Sequence, residues 1–147
     1  MAESGRQGML VRQWRNPNAG LAANAPVEQT RRMGDVTDGL SNTVLAGEKQ
    51  VHWTTFGSAG GDNEVRNNSG WHQDHVRFAE ALPEPDDRHP TSASPAFWSV
   101  RFGASHPGGF NAVLGDGSVR LVKYTLDPAT WERLCLIADG QVVPGDF

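Results

Sequence analysis

The most constraining feature of the sequence is an Asp-Gly turn placed between two runs of alternating apolar residues. The runs 110–114 and 118–124 flank the tripeptide Gly115-Asp116-Gly117. Asp-Gly in this position is among the strongest local signals for a β-hairpin, because both residues tolerate the positive φ of a tight turn. Alternation divides the second run between two faces: Val119, Leu121 and Lys123 on one, Arg120, Val122 and Tyr124 on the other. The chain therefore contains at least one antiparallel strand pair.

A short helix is predicted directly after this hairpin. Asp127 is a typical N-cap residue, and Pro128 suits the first helical position because it has no amide hydrogen to satisfy. The stretch 130–137 carries an apolar stripe at helical spacing, formed by Trp131, Leu134 and Ile137. Gly140 lies where a helix stop is expected, and residues 141–147, with Val142 and Val143, then predict a short strand.

Turn-forming residues dominate the rest of the chain, with 17 glycines and 9 prolines among 147 residues. Residues 35–39 predict a turn, 42–46 a strand that continues towards Trp53, and 9–14 a further short strand. The stretch 57–95 has no sustained periodicity and predicts a long loop-rich region. We therefore expect one domain over 1–147, of α+β class and mainly β, with an antiparallel sheet, long loops and one short C-terminal helix.

Composition excludes several classes of function. The net charge of −4 and the absence of a basic stripe argue against nucleic-acid binding. No apolar run approaches the roughly 20 residues of a membrane span, so we expect no membrane contact by this chain and see no export signal. Cys135 is the single cysteine and lies between two leucines, which indicates a buried structural thiol.

Residue types that can bind metal ions occur in two patterns. His72 and His75 form a His-x-x-His pair which, with His89 or His106, allows a metal-dependent enzyme. Asp35, Asp38 and Asp116 supply the oxygen ligands that calcium prefers. Ordinary loop histidines and turn-forming aspartates explain both patterns more simply. A triad of Ser105, His106 and Asp116 lacks the Gly-x-Ser-x-Gly turn of a nucleophilic serine, so we expect no catalytic residues.

Aromatic residues give a further alternative. The chain has five tryptophans, and Trp53, Trp71 and Trp98 lie in or beside the loop-rich region. Indole rings stack on sugars, so these three side chains allow a secreted solute- or glycan-binding module. Packing in the core is the competing explanation, because buried aromatic rings contribute large apolar areas.

Three segments taken together resemble one family. They read DVTDGLSNTVLAGEK (35–49), FGASHPGGFNAVLGDGSVR (102–120) and ADGQVVPGDF (138–147). They are similar to the prepilin-type family whose signature is a His, nine residues and Asp-Gly, a PulG-like transporter domain of unknown function abundant in planctomycetes. The positions that match this pattern are Asp38, Gly39, Asn42, Glu48, His106, Gly108, Gly109, Asp116 and Gly117.

The resemblance implies a pilin-like architecture, in which a long N-terminal helix, part membrane-embedded, leads into an antiparallel sheet. It also implies processing by a prepilin peptidase, protein partners in a secretion or pilus-like assembly, and an extracytoplasmic or cell-surface location. This chain departs from the pattern because it shows no apolar N-terminal helix. The resemblance, together with the lack of a complete catalytic signature, leads us to expect a non-catalytic structural or interaction module.

The motif itself predicts local roles for its two polar ends. Ten residues of extended chain span roughly 33 Å, so His106 and Asp116 do not meet along a strand. We expect the glycines, including Gly108 and Gly109, to permit sharp turns at the two ends of the hairpin. We expect His106 to bond loop backbone, and Asp116 to bond turn amides or the Asp38-Gly39 turn.

Overall fold

The computed structural model describes Gly8, residues 31–52, Arg77, residues 79–86, Trp98, residues 100–145 and Phe147. The elements bounded within these residues are, in chain order, two 3-10 helices (Met33–Asp35 and Leu40–Asn42), β1 (Val44–Gly47), β2 (Gly109–Leu114), β3 (Val119–Lys123) and the helix α1 (Pro128–Cys135). The strands form an antiparallel sheet in the order β1-β2-β3. The expected class, α+β and mainly β with long loops and a short C-terminal helix, is confirmed.

The predicted hairpin joins β2 to β3. Phe110 pairs with Val122 and Ala112 with Arg120. The Gly117 amide donates to the Leu114 carbonyl and the Leu114 amide to the Ser118 carbonyl. Gly117 has a φ of 85°, while no non-glycine residue of the described part has a positive φ. Of the Asp116-Gly117 pair, only Gly117 is left-handed. This is the usual geometry of a three-residue hairpin loop, in which a type I turn is followed by a left-handed glycine.

β1 is shorter than the strand predicted from 42 to Trp53. Leu40–Asn42 forms a 3-10 helix, and the pairing of β1 with β2 shifts register between Val44 and Ala46. Beyond Gly47 the described chain makes one isolated bridge, from Lys49 to Phe102. A Cβ on Gly47 would lie 2.9 Å from the Phe110 ring, so this strand passes closely over the core. Trp53, the strand predicted at 9–14 and most of 57–95 lie outside the described residues.

Helix α1 begins where the sequence predicts. The Asp127 carboxylate accepts a hydrogen bond from the Thr130 amide at 3.0 Å, and Pro128 occupies the first helical position. The helix ends at Cys135 because Leu136 is extended, four residues before Gly140. Burial raises the pKa of the Cys135 thiol, which agrees with the expected structural role.

The predicted strand at the C-terminus is wrong for the residues described there. Residues 141–145 contain no strand, and Pro144 in this stretch cannot donate an amide hydrogen to a ladder. Side-chain contacts hold the segment instead. Phe147 is buried in the core, with the Arg120 guanidinium 5.2 Å from its ring centroid.

The core lies between the sheet and α1. Phe110 is its centre: its ring stacks on Phe102 at 5.7 Å and meets Trp131 edge-on at 5.9 Å. The other buried members of this cluster are Val44, Ala104, Ala112, Leu114, Val122, Leu134 and Phe147. The Trp131 indole also donates to the Ala81 carbonyl at 3.1 Å, which ties a loop to the helix.

Replacing Phe110 with Ala is expected to lower the free energy of unfolding by about 3–5 kcal/mol, because the ring is fully buried and leaves a cavity among aromatic neighbours. Chemical denaturation measures this change. Val142, which is 81% exposed, provides the control: Val142→Ala should change stability by less than about 0.5 kcal/mol. Similar losses in the two variants would contradict this description of the core.

Candidate functional site

Three polar side chains meet where β1 ends beside β2: Glu48, His106 and Asn111. The Glu48 amide donates to the Asn111 carbonyl at 3.1 Å, so backbone pairing continues one residue beyond β1. The Glu48 carboxylate in turn accepts from the Asn111 amide at 2.7 Å and from its side-chain nitrogen at 3.2 Å. Glu48 thus connects the two strands through its backbone amide and through its carboxylate.

His106 completes this polar cluster from the loop before β2. Its Nε2 lies 3.2 Å from Glu48 Oε1 and 3.2 Å from Asn111 Nδ2. The imidazole is half-exposed, and its partners are side chains. The expectation that His106 bonds loop backbone is therefore wrong, because the loop turns back and brings the imidazole beside the strand.

The electrostatics of the cluster favour an ionised Glu48. Burial acts to raise the pKa of this carboxyl, but hydrogen bonds from the Asn111 amide, His106 and the Asn111 side chain outweigh it. The pKa of Glu48 consequently lies below its ordinary value of 4.5. Sequence reasoning missed Asn111, although an amide side chain inside an otherwise apolar alternating strand is the signal that marks it.

A second polar contact joins the first and third family segments. The Asp38 carboxylate accepts from the Asp139 amide at 2.7 Å and from the Gly140 amide at 3.0 Å. Asn42 donates to the Asp38 carbonyl at 3.1 Å, and Gly39 takes a φ of 97°, as its turn requires. Asp38 therefore fixes the start of the C-terminal segment across about a hundred residues of sequence.

Asp116 lies at the opposite end of β2 from His106. Its carboxylate accepts from the Ser118 amide at 2.9 Å and from the Ser118 hydroxyl at 2.7 Å. The hydrogen bond from the Ser118 side chain and that from its amide hold the pKa of Asp116 below its ordinary value. The side chain thus bonds a turn amide, one of the two expected contacts, and the Asp38-Gly39 turn is not its partner.

The hairpin turn nevertheless contacts the first segment through its backbone. The Gly115 amide donates to the Thr43 carbonyl at 2.9 Å, and the Asp116 amide to the Leu40 carbonyl at 3.2 Å. All three family segments are therefore connected: the first bonds the second at both ends of β2 and bonds the third through Asp38.

The proposed calcium ligands do not come together. Asp35 accepts from the Arg32 amide at 2.8 Å, whereas Asp38 and Asp116 hold the separate amides described above. Over 31–52, 79–86 and 100–145, no three His, Cys, Asp or Glu side chains group in a way that could hold a metal ion. His72, His75 and His89 lie outside the described residues, so a metal site there stays a hypothesis.

The triad considered from the sequence is not assembled. The Ser105 hydroxyl donates to the buried Asp86 carboxylate at 2.9 Å, and the same carboxylate accepts from the Val51 amide at 2.8 Å. His106 contacts Glu48 and Asn111 instead. Asp86 was not predicted as a site residue, because its proline- and acid-rich stretch gives no periodic signal.

The aromatic alternative loses one of its three residues. Trp98 is 2% exposed, so its indole faces are covered by protein and have no room for a sugar ring. Trp53 and Trp71 lie outside the described residues, and the alternative depends on them alone.

The two glycines after Pro107 have different requirements. A Cβ on Gly109 would overlap the Val122 carbonyl oxygen, whereas a Cβ on Gly108 would meet no heavy atom within 4 Å. Neither takes a positive φ. Both were expected to permit a sharp turn at this end of the hairpin, but neither position uses the left-handed conformation open to glycine. Gly109 instead allows close approach of two backbones, and Gly108 has room for a Cβ.

The fold and the site define a small β-rich module whose polar motif residues hold chain segments together. A family model described as "Protein of unknown function (DUF1559)" matches residues 1–129, and the chain belongs to this family. Comparison with curated proteins and with solved structures gave no match. Among the described residues, no helix has the length and apolar character needed to cross a bilayer.

Acid should lower the free energy of unfolding through protonation of Glu48. Because its folded pKa lies below 4.5, the unfolded chain binds the proton first as pH falls. The stabilisation is fully present above about pH 4.5 and is lost as pH drops through the folded pKa. Unfolding free energies measured from pH 6 to about pH 3 should fall less steeply for Glu48→Gln than for wild type. Glu132→Gln, on the exposed side of α1, is the control and should keep the wild-type slope.

Gly109→Ala should lower the free energy of unfolding by about 1–3 kcal/mol, because the added methyl forces β2 and β3 apart. Gly108→Ala is the matched control and should stay within about 0.5 kcal/mol of wild type. Thermal and chemical denaturation distinguish the two variants, and equal effects would contradict the close approach at Gly109.

Proposed function

We propose that this chain is a non-catalytic structural or interaction module of a pseudopilin-like, secretion-type protein. It acts outside the cytoplasm or at the cell surface and meets protein partners of a secretion or pilus-like assembly. Membership of a family of unknown function is compatible with this role. The finer assignment rests on the spacing from His106 to Asp116-Gly117 and on the two companion segments.

The observation that carries the proposal is the use made of the motif carboxylates. Asp38, Glu48 and Asp116 each accept at least one backbone amide of the same chain. A catalytic carboxylate needs an oxygen directed at a substrate, within hydrogen-bond reach of the reacting proton. Carboxylates engaged with the chain's own amides are better suited to fixing loops than to acid-base chemistry.

The surroundings of His106 support the same role. A general base in nucleophilic catalysis lies within hydrogen-bond distance of the nucleophile. The neighbouring Ser105 hydroxyl instead donates to Asp86, and the imidazole contacts a carboxylate and an amide. Such a cluster orients the loop that leads into β2, and a surface held in one shape suits recognition by other proteins.

The test determines where the protein lies, and which proteins it contacts, in cells of the native host. The tagged gene product is followed by cell fractionation and by protease treatment of intact cells, and in-cell cross-linking with mass spectrometry identifies its neighbours. We expect protease-accessible protein cross-linked to components of a secretion or pilus-like assembly. Protein confined to the cytoplasm, or cross-linked to no envelope protein, would overturn the proposal.

A paired variant separates the structural role of the motif from a chemical one. His106→Ala should lower the melting temperature slightly, since half-exposed pairs contribute at most about 1 kcal/mol. It should keep the location and the cross-links of the wild type. Thr125→Ala, at an exposed position after β3, is the control. Lost cross-links at unchanged stability would mean that the imidazole itself contacts a partner or substrate.

A further inference from the structure

β3 lies at the edge of the sheet. Its inner side pairs with β2, and in the part of the chain that the structure describes no strand pairs with its outer side. An open edge carries a row of amide and carbonyl groups that can bond another strand. The outer side of β3 could therefore pair with a strand of another molecule.

The hydrogen-bond pattern shows which residues of β3 face outward. The Leu114 amide donates to the Ser118 carbonyl, and the Tyr124 amide donates to the Gly108 carbonyl. These bonds assign the even-numbered residues from 118 to 124 to β2, because bonding directions alternate along an antiparallel strand. The amides and carbonyls of Val119 and Leu121 consequently point away from the sheet.

The side chains of the same two residues are apolar and exposed. Val119 is 64% and Leu121 50% exposed, and they lie opposite Val113 and Asn111 on the face of the sheet away from the core. Natural edge strands are commonly protected by proline, bulges or charges. β3 has no proline, and the pairing of β2 with β3 runs without a register shift.

The charged side chain in the middle of β3 does not guard this edge. The Arg120 guanidinium lies 5.2 Å from the Phe147 ring centroid, on the core side of the sheet. Lys123 is the last residue of the strand, and its carbonyl accepts from the Leu126 amide at 3.2 Å, so a ladder on this edge ends there. Val119 and Leu121 thus form the open part of the edge.

We propose that β3 pairs antiparallel with β3 of a second copy of this chain, centred on Leu121. A two-fold axis then sets Leu121 opposite Leu121 of the second copy, and both residues exchange main-chain hydrogen bonds. On the outer face the two Leu121 side chains then meet directly, and Val119 lies opposite Lys123. The product is one continuous sheet through both copies.

Charge favours this antiparallel register. Asp116 precedes β3 and Lys123 ends it, so the strand has an acidic start and a basic end. Antiparallel pairing brings the basic end of each copy towards the acidic turn of the other. No like charges lie directly opposite, because Arg120 faces Val122 and Lys123 faces Val119. The two Arg120 side chains are diagonal neighbours, and each lies over the Phe147 ring of its own copy. A parallel arrangement would instead place the basic ends together, which is unfavourable.

Pairing of β3 between two copies does not depend on the proposed function. Self-association is measured on purified protein, whereas location and assembly contacts are measured in cells. A protein that is monomeric but lies at the cell surface would contradict the dimer alone. A protein that is dimeric but lies in the cytoplasm would contradict the proposed function alone.

The experiment is sedimentation analysis of the purified chain over concentrations up to about 0.5 mM, a range that detects even weak dimers. Wild type should show a reversible monomer-dimer equilibrium. Leu121→Lys and Leu121→Glu each place two like charges opposite one another and should weaken association on the order of tenfold. An equal mixture of the two variants should associate again, because Lys then meets Glu. Val142→Lys, an equally drastic change at a residue 81% exposed, should leave association unchanged.

Thermal denaturation of each variant checks that it is folded, which is expected because Leu121 and Val142 are both exposed. Wild type that stays monomeric throughout would overturn the proposal. So would Leu121→Lys associating as strongly as wild type, or a mixture of Lys and Glu variants that fails to restore association, since both outcomes are incompatible with Leu121 facing itself.

Discussion

The burial of β2 is the constraint on which the rest of the described structure depends. This strand pairs on both sides, and its core face presents Phe110, Ala112 and Leu114, each fully buried. Phe110 contacts aromatic rings from a loop and from α1, so the helix, the loop and the sheet share one apolar centre. A small domain buries little apolar surface, so a single fully buried ring of this size contributes a large share of its stability.

The polar residues then determine how the irregular segments lie on this core. Loops cannot satisfy all their amides through secondary structure, and a buried amide without a partner costs free energy. Carboxylates provide the missing acceptors here: Glu48 bonds the start of β2, and Asp38 bonds the start of the C-terminal segment. Hydrogen bonds to charged acceptors are stronger than neutral ones, which suits the described segments, where much of the chain is irregular.

The His-to-Asp-Gly motif is divided between two local structures at opposite ends of β2. At one end His106 joins Glu48 and Asn111 beside the strand, and at the other Asp116 closes the hairpin turn through Ser118. The fixed spacing of the motif corresponds to a loop, one strand and a turn. This explains how nine residues can separate two polar groups that serve the same hairpin without touching.

The sequence by itself determined the features that depend on neighbouring residues. It predicted the hairpin around Gly115-Asp116-Gly117, the N-cap at Asp127 and the class of the fold, because turn chemistry, capping and alternation act over a few residues. It failed for the C-terminal segment, where Val142 and Val143 suggested a strand, because strand formation needs a partner that local pattern does not reveal. It also missed Asn111 and Asp86.

Only the tertiary structure decided which distant groups meet. The Asp38 carboxylate reaches the Asp139 and Gly140 amides, and Glu48 reaches His106 and Asn111, across separations that no local pattern encodes. The three carboxylates suspected of binding calcium are used separately. Asp38 accepts these distant amides, whereas Asp35 and Asp116 accept amides two or three residues away along the chain. Residue types and short spacings thus set the elements, and packing around Phe110 set their contacts.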